Sequence, residues 1–296
     1  MSVPEHEVFT NTTIGELALK NHFIRSGCFE GMSQHGQVTD NLIAHHRAQA
    51  EGGVAMTTVS YCSVSHDGRT FDHELWMRPE IAPDLQRLTN EVHDAGAKVS
   101  IQLGHSGYFT NKSVIGKRPL GASPKFCLFT RSYCRQMSEQ DIDEKTQDFV
   151  DAALIAKSTG FDAIEVHAGH GYLLSQFLSP WTNKRKDEFG GSLSNRLRFP
   201  TAVIKNIREA VGPDFPILVK MNQYDGMSGG IKLEDALQIA KAFELAGATA
   251  LIPSAGFTSK VPFLMLRGNL PIKEMRENQS GWINKLGLSL FGRFMV

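Results

Sequence analysis

Cysteine is scarce, net charge is absent, and no apolar stretch is long: the 296-residue chain has 4 cysteines and 31 Lys+Arg against 31 Asp+Glu. Each scarcity excludes something. Four thiols (Cys28, Cys62, Cys127, Cys134), none in a C-x-x-C pair, are too few to staple a chain of this size, so reduced cysteines are expected. Without a positive surplus there is no electrostatic footprint for nucleic acid or an anionic membrane, and neither is expected as a partner. A spanning helix needs roughly 18 uninterrupted apolar residues. The opening Met-Ser-Val-Pro-Glu-His-Glu also lacks the basic and apolar regions of a secretory signal. A soluble cytoplasmic protein is expected.

What is present is an ordinary globular balance, 41% hydrophobic and 21% charged, with no linker or low-complexity tract to mark a second domain. A single domain over residues 1–296 is therefore expected. After a hairpin from Glu7 to Lys20, turning near Thr13 to Glu16, short β-rich runs alternate with longer amphipathic segments. Strands are expected at Asn21 to Ser26, Val54 to Tyr61, Lys98 to Leu103, Phe161 to His167, Ile217 to Met221 and Thr249 to Pro253. Helices are expected from Thr39 to Glu51, from Pro83 to Gly96, from Ser138 to Ser158 behind a Ser138/Asp141 capping box, from Ser194 to Ala210, and from Lys232 to Ala246. Pro200 is expected to kink or delay the fourth of these. Residues 104–137, rich in Gly, Ser, Lys and Pro, form a long loop of the kind that shapes an active site.

About six β/α units point to an α/β protein of the (β/α)8 TIM-barrel type. In such barrels chemistry collects where strands end, at the C-terminal face. Gln102 and His105 end the third strand, His167 and His170 the fourth, and Lys220 the fifth. The densest stretch is His167-Ala-Gly-His170-Gly-Tyr172, whose two glycines suit a tight turn that brings both imidazoles and the phenol to one pocket. Two N–H donors on one oxygen, with an O–H nearby, suit a reaction that builds charge on a carbonyl oxygen and then needs a proton. Two other readings stay open from the residues alone. Histidines three apart can ligate zinc, although no third ligand is offered locally and the H-E-x-x-H spacing is missing. They can also be buried groups satisfied by backbone. Lys220 has the alternative of pairing with Asp225, and Tyr172 that of a core aromatic.

The segments LKNHFIRSGCFEGMSQHGQVTD (Leu19 to Asp40), EGGV (Glu51 to Val54), IQLGHSG (Ile101 to Gly107), GFDAIEVHAGHGYLLSQFLSPWTNKRKDEFGGSLSNRLRF (Gly160 to Phe199) and ILVKMN (Ile217 to Asn222) resemble the old yellow enzyme family, the FMN-containing NADH:flavin oxidoreductase barrels. The resemblance runs to about Gly256. It implies FMN as cofactor, NADH or NADPH as reductant, and reduction of the activated C=C bond of an α,β-unsaturated carbonyl compound by a ping-pong scheme. Flavin N5 gives hydride to Cβ and Tyr172 gives the proton to Cα. His167 and His170 hold the carbonyl or nitro oxygen, an interaction that strengthens as charge develops. Ser26, Gly27 and Cys28 line the flavin ring largely through backbone, Tyr61 flanks it, Gln102 bonds its pyrimidine edge, and Lys220 lies near N1 and C2=O. Some relatives tune flavin potential with a cysteine near Cys28, but the alignment puts Phe29 at that position, so no tuning thiol is implied.

The family barrel has eight strands, and only six are read here. Phe257 to Val296, with PFLMLRG, PIKEMRENQSG and WINKLGLSLFGRFMV, reads as an extension after strand six, without the loops after strands seven and eight that cradle phosphate in such barrels. Two strand edges left open would make a monomer unstable or inactive. Three outcomes are open: a fragment of a longer protein, a degenerate flavin-free barrel acting as a binding protein, or a barrel completed by another chain or copy in a homo-oligomer. Dienoyl-thioester reduction or amine oxidation are enzymatic alternatives within the family.

Overall fold

The computed structural model describes residues 6–261 and residue 264. Strands β1 (Thr12–Ile14) and β2 (Leu17–Leu19) form the expected antiparallel hairpin, turning at Gly15-Glu16. Then follow β3 (Ile24–Arg25), α1 (Asp40–Glu51), β4 (Met56–Ser63), β5 (Leu75–Trp76), α2 (Ala82–Asp94) and β6 (Lys98–Gly104). An excursion carries α3 (Lys112–Ile115), β7 (Leu120–Gly121), β8 (Phe126–Cys127), β9 (Ser132–Tyr133) and β10 (Arg135–Gln136). The chain continues through α4 (Glu139–Ser158), β11 (Ala163–Ala168), α5 (Leu173–Leu178), α6 (Leu193–Val211), β12 (Ile217–Tyr224), α7 (Leu233–Leu245) and β13 (Ala250–Ala255). No described helix is long and apolar enough to cross a membrane.

The sheet runs β13-β12-β11-β6-β4-β3, every neighbour parallel, with β5 added beside the end of β4. It is a parallel half-barrel, the incomplete TIM-type α/β architecture read from the sequence. Among the described residues β3 and β13 stand at its two outer edges. Apolar residues of the strands, such as Val99, Ile101, Ile164, Val166 and Val219, face the helices and are fully buried against Leu88, Phe149, Phe199 and Phe243. Each such side chain contributes roughly 1.5–3 kcal/mol. Residues of opposite parity line the other face. At its N-terminal end Met56, Ala163 and Leu218 are closed off by Leu17 and Leu19 of the hairpin. Toward the C-terminal end that face turns polar, with Thr58 and Ser60, Ser100 and Gln102, Glu165 and His167, Lys220 and Asn222, all buried.

Local chemistry explains the boundaries. The Thr39 hydroxyl accepts from the Leu42 N–H to start α1, and Ser138 and Asp141 form the capping box of α4. Two expectations need correction. The first strand is two residues long and not six, because Asn21 uses its side chain on the Gly53 carbonyl (2.9 Å) and on the Phe23 N–H (3.0 Å), a local arrangement that competes with a ladder. Pro200 does not delay α6, which starts at Leu193 and continues through it to Val211; its missing N–H costs one bond, while Phe199, Val203, Ile204 and Ile207 bury the helix on either side of it. Residues 104–137 form a long loop that carries short pairings not expected from the sequence: β7 pairs β10, β8 pairs β9, and Arg118 bonds the Tyr133 and Cys134 carbonyls. Of the expected C-terminal extension 257–296, Phe257 to Val261 form a bridged turn with Phe257 fully buried. The rest of that extension, residues 262, 263 and 265–296, lies outside the described residues.

Candidate active site

Parallel register brings the expected residues to one edge. His167 on β11 lies opposite Lys220 on β12, and Glu165 opposite Gln102 on β6. The chain then leaves β11 through a turn in which His170 takes a left-handed backbone (φ 57), as does Gly171 (φ 79). That turn folds the two histidines onto each other: His167 Nε2 and His170 Nδ1 are 3.3 Å apart. A side chain at Gly171 is excluded, since a Cβ there would lie 2.2 Å from the Phe257 ring. The left-handed turn is pinned from two neighbouring segments. Asn222 Oδ1 accepts from the His170 N–H (2.9 Å), and the Thr258 N–H and hydroxyl both donate to the His170 carbonyl at 2.9 Å.

Tyr172 caps α5 and packs on His167 with ring centroids 4.6 Å apart, while its other neighbour is Tyr61, stacked at 5.3 Å. Phe109 meets Tyr172 edge-on and stacks on Phe129, so the excursion after β6 supplies one wall of the site. Burial, followed by the charges on His170 and Lys220, holds the His167 imidazole well below its ordinary range. Burial, then Lys220, pushes His170 down to about 4. Both rings are therefore neutral at neutral pH. Burial pushes the Tyr172 phenol above its usual range, so it keeps its proton there.

A second group of residues lies deeper. Lys220 Nζ bonds Glu165 Oε1 (2.8 Å), the Gly27 carbonyl (3.0 Å) and the Ser26 hydroxyl (3.3 Å). Gln102 also donates to Glu165 and accepts from the Ser60 hydroxyl at 2.9 Å. The ammonium thus pairs with Glu165; Asp225, the alternative partner, instead takes Ser179, Asn222 and the Ile231 N–H. Arg25 fixes the segment after β3, donating to the Thr58 carbonyl (2.7 Å) and the Cys28 carbonyl (3.3 Å) and pairing with buried Glu30. Ser26 and Cys28 are exposed at this rim, Gly27 is half-buried, and Tyr61 and Gln102 are buried. His105, also at a strand end, is separate from the pair: its Nδ1 accepts from the Gly107 N–H and its Nε2 faces Asp67 at 3.5 Å.

The donor set suits the pyrimidine edge of a flavin, offering a primary amide and a fixed cation beside a backbone segment without a side chain. A Cβ at Gly27 would fill that cradle, coming 2.8 Å from Gln102 Nε2 and 3.3 Å from Glu165 Oε1. Residues that the sequence reading passed over are Glu165, Asn222, Ser254, Thr258 and Glu30. Glu165 and Asn222 are strand residues of the same parity as His167 and Lys220, and a polar i, i+2 pattern ending a β-run is the signal that marks them.

Comparison with known proteins gives a consistent result. The sequence profile of the NADH:flavin oxidoreductase / NADH oxidase family matches residues 7–254. The chain is 36% identical over 292 residues, 98% of its length and 72% of the relative's, to a 4,4'-dithiodibutanoate disulfide reductase of Rhodococcus erythropolis. Among solved structures, a 2-naphthoyl-CoA reductase in complex with 2-naphthoyl-CoA superposes with a TM-score of 0.82 at 28% identity, covering 86% of this chain and 41% of that one. The chain thus spans less than half of that relative. The Old Yellow Enzyme from Pichia sp. AKU4542 superposes with a TM-score of 0.76 at 23% identity over 83% of this chain and 70% of that one, a likeness of fold.

Proposed function

The chain belongs to the NADH:flavin oxidoreductase / NADH oxidase family, and from that premise we propose that it is an FMN-dependent NAD(P)H oxidoreductase of the ene-reductase type, acting on activated C=C bonds of α,β-unsaturated carbonyl compounds. The observation that carries the reading is the pair of neutral imidazoles facing each other at 3.3 Å beside a protonated phenol. Lys220, Gln102 and the Ser26–Cys28 backbone would hold the flavin ring, and Tyr61 would flank it. FMN held there, reduced by NADH or NADPH, would supply the hydride for the β-carbon of the alkene. His167 and His170 bind the carbonyl oxygen and stabilise the charge that gathers there. Tyr172 moves its hydroxyl proton to the α-carbon, a role that suits a phenol kept neutral by burial. Phe109 and Phe129 keep water from one side of the substrate.

Phenols imitate the enolate, so the test is phenol binding read from the flavin spectrum. Replacing both histidines (His167→Ala with His170→Ala) is expected to abolish binding, and losing one donor to lower turnover about 10²–10³-fold. Tyr172→Phe is expected to retain phenol binding while lowering turnover about 10²–10⁴-fold. Unchanged phenol affinity in the double variant refutes the assignment. A second reading, reduction of a small organic disulfide, is favoured by the disulfide reductase that aligns along nearly the whole chain; parallel assays with an enone and a linear dithio-dicarboxylate separate the two.

A further inference from the structure

We propose that Ser254, at the end of β13, is a positioning residue whose hydroxyl lets His170 take the tautomer protonated on Nδ1 when substrate enters, so that His170 Nδ1–H and His167 Nε2–H both point at one substrate oxygen. The inference rests on the reading of the histidine pair as donors to that oxygen. Burial leaves each ring neutral, hence with a single N–H. For His167 the proton is assigned by its surroundings: Nδ1 faces the Gly169 N–H at 3.3 Å and accepts, which puts the proton on Nε2. That N–H points at His170 Nδ1, 3.3 Å away.

His170 has two arrangements, and the Ser254 hydroxyl, 2.6 Å from Nε2, serves both. With the proton on Nε2, His170 donates to Ser254 Oγ and its Nδ1 accepts from His167. The pair is then closed on itself and offers an incoming oxygen nothing. With the hydroxyl donating to Nε2, the proton is on Nδ1. Both N–H groups then face the same space, a placement that is unfavourable until an oxygen enters between them. Exchange between the two moves one proton from Nε2 to Nδ1 of the same ring through solvent water, without change of charge. Only a group that both donates and accepts permits it, and a hydroxyl does. The ring is carried accordingly: Asn222 and Ser254 lie opposite each other on β12 and β13, one holding the His170 backbone and the other its far nitrogen.

The test uses the flavin-loaded protein with a phenol bound. Nitrogen-15 NMR of the histidine rings is expected to show His170 protonated on Nδ1 in the wild-type complex. Ser254→Ala is expected to weaken phenol about 10- to 100-fold, the cost of leaving a buried acceptor unpaired. Ser254→Thr, which keeps the hydroxyl, should restore the affinity, and flavin content should be alike in all three proteins. A His170 Nε2–H signal in the wild-type complex overturns the proposal even if the alanine variant fails to fold, as does wild-type phenol affinity in that variant. Phenol ignored by the wild type itself overturns the donor role of the pair, and this proposal with it. Binding lost only when His167 and His170 are replaced, and never with Ser254, overturns the proposal alone.

Discussion

Acidification exposes the burial of His170. Its pKa falls from an ordinary 6.5 to about 4 in the folded chain. Between those values the unfolded chain holds a proton on this ring that the folded one refuses, so stability rises with pH through that window and is lost as pH falls through it. The slope near pH 5 is about 1.4 kcal/mol per pH unit, and the loss between pH 7 and 4.5 is about 2.5 kcal/mol. The assay is urea unfolding at both pH values, wild type against His170→Asn. Groups away from the histidine pair titrate alike in both proteins and cancel in the difference, among them Glu74, pushed up to about 8 by burial, whose contribution has the opposite sign, while His167 is lowered first by burial, which the substitution leaves in place. The wild type is expected to lose about 2.5 kcal/mol more than the variant on acidification. Parallel pH profiles refute the argument, because they would mean that His170 is as free to protonate in the fold as in the unfolded chain.

Three further outcomes follow from the same contacts. Lys220→Met strands the Glu165 carboxylate, 1% exposed, without its cation; it should cost about 3–5 kcal/mol in urea unfolding, and adding Glu165→Gln should recover most of it, whereas a double variant no better than the single contradicts the pairing. Gly171→Ala forces a left-handed alanine into the Phe257 ring and should destabilise by about 1–3 kcal/mol, with partial relief from Phe257→Leu; a wild-type melting curve counts against the packing. Cys28 is the exposed thiol while Cys62, Cys127 and Cys134 are buried, so a thiol reagent followed by mass mapping should label Cys28 first and the others on unfolding; fast labelling of Cys62, whose thiol burial pushes up, is the contrary result.

Legibility in the sequence followed the range of the interaction. Hairpin, caps and helix spans rest on neighbours within a few residues, and they were readable from Thr39, Ser138 and Asp141. The histidine turn was readable because Gly169 and Gly171 flank His170 in sequence. Ser254 was not, since Ile252 two residues before it is apolar and nothing local distinguishes a strand-end serine; its meaning comes from register, which sets Asn222 opposite Ser254 and both against His170. The same limit explains the Lys220 alternative. Asp225, five residues on, is nearer in sequence, but Glu165 shares the interior face one strand away, and the shared face decides the pair. Pro200 shows the reverse failure in one respect: the delayed start that it signals is overridden, since α6 begins at Leu193 and buries apolar residues on both sides of the proline.

The bond from Lys220 Nζ to the Gly27 carbonyl joins residues separated by 193 positions. A ribosome adding about 5–20 residues per second takes on the order of 10–40 s to span that interval. During it the Ser26–Cys28 segment exists while the cation that anchors it does not. The proposed flavin edge is therefore completed only when the fifth strand of the barrel sheet is made, and not by the first strands alone. Early strands must wait with their polar face unsatisfied, the condition in which parallel sheets fold slowly and become targets for chaperones. If the proposed site holds, acquisition of the cofactor reports that the chain has grown past Lys220 and folded back onto its first strands, which makes bound flavin a measure of folding as much as of catalytic competence.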